Sequence, residues 1–439
     1  MIHPKLRHLP LAAAALVACS GAYAGYQSPD GNFSLSGFGT LGLSKTNTDE
    51  AMFVYPGQGG GATKHVSFDP DTKVAVQGTY KFTPTLSGTA QVMTKFDAEG
   101  QYEPKMEWAF AKWQASPGLS FRAGRMGAPI FMISDFRDVG YANTAVRPNL
   151  DVYGQVPVSS FEGGDVSYQT NLGSMTLTSS FWAGKATNKY ASALHSLGQA
   201  NAVGASEVVL SRIKGINIQG EFDNGLSWRF GYLKGKLEVN SPTAERVIDY
   251  VNSASGTAED KQDAASTLTT SNTNASFMGI GVTYDQDNIV LSAEYGKRGI
   301  EDRGYIPALK GWYTLAGYRL GSVLPYVSLS RVSVTNPNAT MDGALSNLGL
   351  LVKVGSAALL NTQKLNEDTK SLGVRWDVKS GLAVKAQYDY VAIPKNSNGQ
   401  FLVDDPATAS LNKVLANKSS FVDKPKDISV LTLSVDFVF

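Results

Sequence analysis

From residue 32 through Phe439 the chain repeats one pattern: segments of about ten residues whose side chains alternate with period two. The connections between segments alternate between short and long. Strands are predicted over 32–43, 72–82, 86–95, 106–115, 119–126, 163–171, 174–183, 208–223, 226–234, 275–285, 289–297, 311–319, 323–332, 370–379, 382–391 and 427–439. In one of them Val74, Val76, Gly78 and Tyr80 share a face, and Lys73, Ala75, Gln77 and Thr79 the other. In another, Leu372, Val374, Trp376 and Val378 oppose Ser371, Gly373, Arg375 and Asp377. Such a strand has one wet and one dry face.

The connections decide what lies on the dry face. Tight links fall at Thr83-Pro84-Thr85, Ser116-Pro117-Gly118, Asn171-Leu172-Gly173, Asp223-Asn224-Gly225, Asp285–Asn288, Leu320-Gly321-Ser322 and Ser380-Gly381, all of them turn chemistry. Between them run polar stretches at 44–71, 96–105, 127–162, 184–207, 235–274, 298–310, 333–369 and 392–426. An up-and-down barrel gathers its odd connections at one rim and its even ones at the other, and outer-membrane barrels have short turns at one rim and long loops at the other. A soluble sandwich has no reason to sort its loops this way. Tyr80, Phe82, Trp228, Tyr232, Tyr295, Tyr313, Tyr388, Tyr390, Phe437 and Phe439 lie towards strand ends, where aromatic side chains suit membrane interfaces.

The start of the chain carries an export address. Lys5 and Arg7 precede an apolar run, Leu9–Ala18, and Ala22-Tyr23-Ala24 is a small-x-small cleavage site. Residues 1–24 read as a signal peptide and 25–439 as a single barrel domain. Leu16-Val17-Ala18-Cys19 also suits lipoprotein processing at Cys19, the only cysteine, although a barrel needs no lipid anchor. Taking Lys5 and Arg7 off the 39 basic residues leaves 37 against 38 acidic ones, a balance that offers nothing to nucleic acid. No later apolar run reaches the roughly 20 residues a membrane helix needs. Lipid satisfies no backbone hydrogen bonds, so an exported membrane chain without such helices must close a barrel.

The most specific segment is the C-terminal one. Leu431, Leu433, Val435, Phe437 and Phe439 alternate with Thr432, Ser434, Asp436 and Val438. It resembles the closing strand of outer-membrane barrels, the assembly signal read by their insertion machinery. Ser36–Gly42, Phe121-Arg122-Ala123-Gly124-Arg125, Leu324-Pro325-Tyr326-Val327-Ser328, Gly373–Asp377 and Ala383–Tyr388 extend the likeness over nearly all of the chain after the signal. Together they resemble the general porins of proteobacteria. The resemblance implies sixteen strands, a homotrimer in the outer membrane of a Gram-negative cell, lipid and lipopolysaccharide around it, and a third loop, 127–162, that narrows the pore. The Pro-Glu-Phe-Gly-Gly motif of many enteric porins is absent from that loop, and Phe161-Glu162-Gly163-Gly164 only echoes it. Gly37 and Gly39 on the first strand's apolar face would permit close subunit packing.

Sixteen strands leave a water-filled channel. Solutes then pass according to size and the field at the narrowest point. By parity Lys73, Arg229, Arg375 and Lys385 face inward, with Glu221, Glu294, Asp389 and Asp436. Arg122 and Arg125 cannot both face in on a regular strand, and the resemblance implies that at least one lines the pore. The loop offers Asp135, Arg137, Asp138, Arg147 and Asp151, with Tyr141 and Tyr153. The expectation is that loop carboxylates face wall cations across open water.

The function so read is passive diffusion of small hydrophilic solutes and ions. A substrate-specific channel, with the loop tyrosines as a binding ladder, is the alternative. Catalysis would need a His-centred set, and the chain after the signal has only His65 and His195, both in loops. A plugged structural barrel is a further rival. No metal cluster or cofactor fingerprint is present, and Gly57–Gly61 lacks the Lys and Ser/Thr of a phosphate loop. Gly57–Gly61 and 252–274 read as flexible loop material, and Pro242–Ser253 as a short helix capped by Ser241.

Overall fold

A computed structural model describes residues 25–156, 158–191, 205–301, 304–340, 343–403 and 421–439. The signal segment with Cys19, and His195, lie outside the described residues. The strands are β1 (Phe33–Thr46), β2 (Lys73–Lys81), β3 (Leu86–Phe96), β4 (Tyr102–Gln114), β5 (Leu119–Gly127), β6 (Ser160–Leu172), β7 (Met175–Tyr190) and β8 (Ser206–Phe222). They continue as β9 (Leu226–Asn240), β10 (Thr270–Gln286), β11 (Ile289–Ile300), β12 (Ala308–Tyr318), β13 (Val323–Asn336), β14 (Glu367–Lys379), β15 (Leu382–Ile393) and β16 (Lys426–Val438). Each pairs antiparallel with the next, and β16 pairs with β1 from Val430↔Thr46 to Val438↔Phe38, so the sixteen strands form a closed barrel without free edges. Among the described residues no helix is long and apolar enough to cross a membrane.

All sixteen predicted segments are strands, and most run further towards the long loops than predicted. β7 continues to Tyr190, β9 to Asn240, and β10 begins at Thr270. Above a hydrocarbon layer both faces of a ladder meet water, so the backbone pairing persists after the hydrophobic alternation has faded. The short turns gather at one rim. Gly225 and Gly381 take φ of 76° and 77° there, a left-handed conformation that only glycine adopts freely. At the other rim one expectation is corrected: the link between β3 and β4, 97–101, is itself tight.

The dry face is the outside. Leu372, Val374, Trp376 and Val378, Ile280 and Val282, and Leu431 and Leu433 are exposed, whereas Lys385, Gln387 and Asp389, and Thr432, Ser434 and Asp436, are buried within. Charged groups in an outward row would cost about 2–4 kcal/mol each at mid-bilayer depth, so this alternation fixes which side faces lipid. Tyr295 pairs with Trp312 on the outer face, and two residues nearer the long loops Lys297 pairs with Lys310. Lys214 likewise pairs with Lys234, just beyond Tyr232. Tyr313 departs from the aromatic belt: it is buried inside the barrel.

Gly37 and Gly39 do not wait for another subunit. The rings of Phe439 and Phe437 lie over them, leaving no room for a Cβ at either position. Phe437 is buried as a result, while Val435 and Phe439 are half-buried and Leu433 exposed along the same row.

The long loops carry helices: α1 (Leu150–Tyr153), α2 (Pro242–Ser253), α3 (Ala258–Leu268), α4 (Ala344–Asn347) and α5 (Leu350–Asn361). Ser241 caps α2 by accepting from the Ala244 amide, as expected. The stretch 252–274, expected to be flexible, contains α3, capped by Thr257 with Glu259 and Asp260 in its first turn. Ala264 and Leu268 of α3 join Val247 and Val251 of α2 and Val352 and Leu359 of α5 in one buried cluster. Loops one and eight are stitched by a two-residue pairing, Ala51–Met52 with Leu402–Val403.

Candidate functional site: a loop folded through the lumen

The connection between β5 and β6, 128–159, turns into the barrel. Its first stretch, Ile130-Phe131-Met132-Ile133, is apolar, and so is the inner wall it meets. Phe131 stacks on Tyr153 at 4.4 Å between centroids and meets Phe277 of β10 edge-on at 5.1 Å. Val152, Val156 and Val158 share a buried cluster with Trp182, Leu210, Leu233 and Leu237. Gly231 lets the loop backbone lie against the wall, because a Cβ there would strike the Ile130 carbonyl.

Polar anchors hold the same segment. Glu294 accepts from the Met132 amide at 3.0 Å, from the Tyr313 hydroxyl at 2.7 Å and from the Tyr153 hydroxyl. Arg229 donates to the Met132 carbonyl at 3.2 Å and pairs with Asp135 at 3.0 Å.

The loop then crosses to the polar wall. Asp138 lies 3.6 Å from Lys73 and 3.7 Å from Arg137. Burial works against its charge, but Lys95, Lys73 and Arg137 outweigh burial and hold its carboxyl well below the usual range. Lys385, fully buried, donates to the carbonyls of Gly140, Asn143 and Ala145 at 2.7, 2.6 and 3.1 Å and pairs with Asp436 at 3.1 Å. Arg375 donates to the Tyr141 and Asn143 carbonyls at 2.7 and 2.9 Å, with its guanidinium 5.0 Å over the Tyr141 ring. Arg147 is a further buried anchor. It pairs with Asp71 at 2.7 Å and Asp389 at 3.4 Å and donates to the Thr432 hydroxyl at 2.7 Å. Burial opposes its charge, and Asp71 and Asp389 still raise its pKa.

Asp151 closes the circuit. Its Oδ1 accepts from the Gln400 side-chain amide at 2.8 Å, and the same nitrogen reaches Glu367 at 3.0 Å. Its Oδ2 is buried with no donor. Burial raises the Asp151 carboxyl above its ordinary range, with the bonds to Glu367, Ser330 and Gln400 opposing only in part. A proton on the Asp151 carboxyl would let it donate where it now lacks a partner. A raised pKa means that this latch is intact at low pH and is lost as pH rises through the raised value. Current noise through the wild type should therefore grow as pH is raised, and Asp151→Asn, which carries its own N–H donor, should be quiet throughout. Identical pH profiles in the two would refute the latch.

The remaining sequence-chosen residues divide. Arg122 faces inward, forks onto Asp165 and stacks over Phe110 at 5.5 Å. Arg125 does not line the pore. It shares the outer face with Phe121, pairing with Glu162 at 3.4 Å, which also meets Lys185 at 3.4 Å. Most loop charges do not look across water at the wall but touch it. The passage beside them is a cavity of about 250 Å3 bordered by Phe53, Arg147, Leu150, Tyr326 and Asp389. Sequence reasoning missed Asp71, Asp165, Glu367 and Gln400, and also Glu107, which lies 3.5 Å from Lys95. Asp165 and Glu367 stand on inward parity, and Asp71 lies two residues before Lys73, on the same parity, so alternation carried to the strand ends would have found those three. His65 is exposed on its loop.

The Salmonella typhi OmpF complex with daunomycin matches with a TM-score of 0.50 at 14% identity, over 94% of this chain and 99% of that one. The barrel has the porin fold. The anion-selective porin from Comamonas acidovorans matches this barrel at a TM-score of 0.49 and 12% identity, over 93% of this chain and 99% of that one. The outer membrane channel DcaP of Acinetobacter baumannii matches it at 0.49 and 9% identity, over 95% and 100%. No family model matches the sequence, and no curated protein matches it.

Proposed function

We propose that the chain is a porin of the Gram-negative outer membrane, through which small hydrophilic solutes and ions diffuse passively. One observation carries the reading: an apolar belt around a charge-lined lumen, narrowed by a loop that the wall holds down at both sides. Arg137, Asp138, Arg147 and Asp151 on the loop, with Lys73, Arg122, Arg229, Glu294, Arg375 and Lys385 on the wall, set the size and field of the passage. Exposed Lys214, Lys234, Lys297 and Lys310, one pleat beyond the aromatic row, suit phosphate-bearing headgroups such as those of lipopolysaccharide. The C-terminal strand would engage the barrel-assembly machinery, and three copies would associate.

Purified protein added to a planar bilayer should produce stepwise conductance increases, and crosslinking in detergent should stop at three copies. A protein that gave no steps, or that stayed monodisperse in buffer without detergent, would overturn the reading. The alternative, a substrate-specific channel, draws support from the apolar vestibule above the loop.

A further inference from the structure

Above the inward loop lies a second cavity, about 290 Å3, close to the lower end of the roughly 300–1,000 Å3 usual for small-molecule sites. A water-filled passage would be expected to have polar walls. This one is lined by Val156, Leu233, Leu237, Phe277 and Ile300, most of them buried members of the apolar cluster that seats the loop.

Among its described lining residues the only charged side chain is Arg298 of β11. Its Nε and Nη2 donate to the Pro307 carbonyl at 3.1 and 2.9 Å, and its Nη1 to the Gln155 carbonyl at 3.0 Å. These are neutral acceptors, and among the described residues no carboxylate pairs with it. A guanidinium carries five N–H donors, so one remains on each terminal nitrogen. Beside it, Gln155 is 1% exposed, and its Oε1 has no donor. A half-buried cation without a carboxylate partner among the described residues and a buried acceptor without a donor thus border the same apolar space. Both deficits are costly when left unmet.

We propose that this vestibule binds small apolar carboxylates, with the carboxylate on Arg298, the hydrocarbon part against Leu233, Leu237 and Phe277, and a hydroxyl beside the carboxylate, where present, on Gln155 Oε1. The inference rests on the porin reading and names a substrate class for it. Planar charge-assisted pairing with Arg selects the carboxylate. The apolar wall selects against small hydrated anions, which lose their water on entering and gain no packing.

The test is block of single-channel current by phenylacetate, mandelate, acetate and benzyl alcohol in the purified full-length protein. Phenylacetate should block half-maximally at a concentration at least about tenfold below that of acetate or benzyl alcohol, equivalent to about 1.4 kcal/mol. Mandelate, with its 2-hydroxyl, should block at a lower concentration still. Arg298→Met should erase the advantage over benzyl alcohol, and Arg298→Lys should restore part of it. Phe277→Ala should bring phenylacetate towards acetate without touching the cation, and it serves if the arginine variants do not fold, as judged by heat-modifiable migration. Equal block by phenylacetate and acetate, or an undiminished preference in Arg298→Met, overturns the site. Equal block by mandelate and phenylacetate removes Gln155 from it. Absence of any conductance would instead overturn the porin reading.

Discussion

Arg147→Met should open the channel and weaken it at once. The substitution leaves Asp71 and Asp389 buried with no cation between them and takes a donor from Thr432. Breaking a buried pair from one side costs about 3–5 kcal/mol, because the charge left behind stays desolvated. The loop can escape that cost by leaving the wall, so we expect larger single-channel conductance, with rapid fluctuation, and a lower temperature of heat-modified migration. The Asp71 carboxyl shows the same balance from the other side. Burial raises its pKa, yet Arg147 and its hydrogen bonds pull it below the ordinary range. Its stabilising contribution is therefore present at neutral pH and lost only as pH falls through that depressed value. Wild-type conductance in Arg147→Met would show that the loop is held by its other anchors and that Arg147 is dispensable.

Trp182→Ala should lower stability by about 3–5 kcal/mol, the usual cost of deleting a large buried aromatic side chain. Trp182 is 1% exposed, lies 4.7 Å from the Phe161 ring, and covers Gly215 so closely that a Cβ there would collide. It sits where the loop rejoins β6, so its loss removes the seat of Phe161 as well. Urea unfolding in detergent, followed by tryptophan fluorescence and gel migration, measures the change. A midpoint equal to that of the wild type would mean that this cluster adds nothing to the barrel.

The sequence reading was strongest where period two governs. All sixteen strands, the short-turn rim and the outward row of β14 were legible, because one lipid-facing and one water-facing row leave little freedom in register. It was weakest inside the lumen. Parity places Arg229, Glu294, Arg375 and Lys385 inward, but cannot say that they grip loop carbonyls and amides instead of facing open water. A clue was present in the inner positions Leu233, Leu237 and Phe277, which are apolar on a face that should be wet. Only a covering segment makes that arrangement stable, and Ile130-Phe131-Met132-Ile133 is that segment. Arg125 was ambiguous because two arginines three residues apart cannot share a face of a regular strand. It stands four residues from Phe121 on the outer face, directly opposite Glu162, with which it pairs. The helices of the long loops were half legible: Ser241 announced α2, whereas α3 looked like polar filler until its buried Ala264 and Leu268 met α2.

The rings of Phe437 and Phe439 over Gly39 and Gly37 make the barrel's seam a measuring device. Backbone bonds tie Gly37 to Phe439 in both directions, at 2.7 and 2.9 Å, and the two glycines are the only small residues in a row that continues with Leu35 and Leu41. A slip of one residue would turn every side chain of β16 to the opposite side. A slip of two would keep the sides but drive a ring against a leucine. Closure is thus keyed to a single alignment by its two ends, and length changes that the loops can absorb would be rejected at this joint.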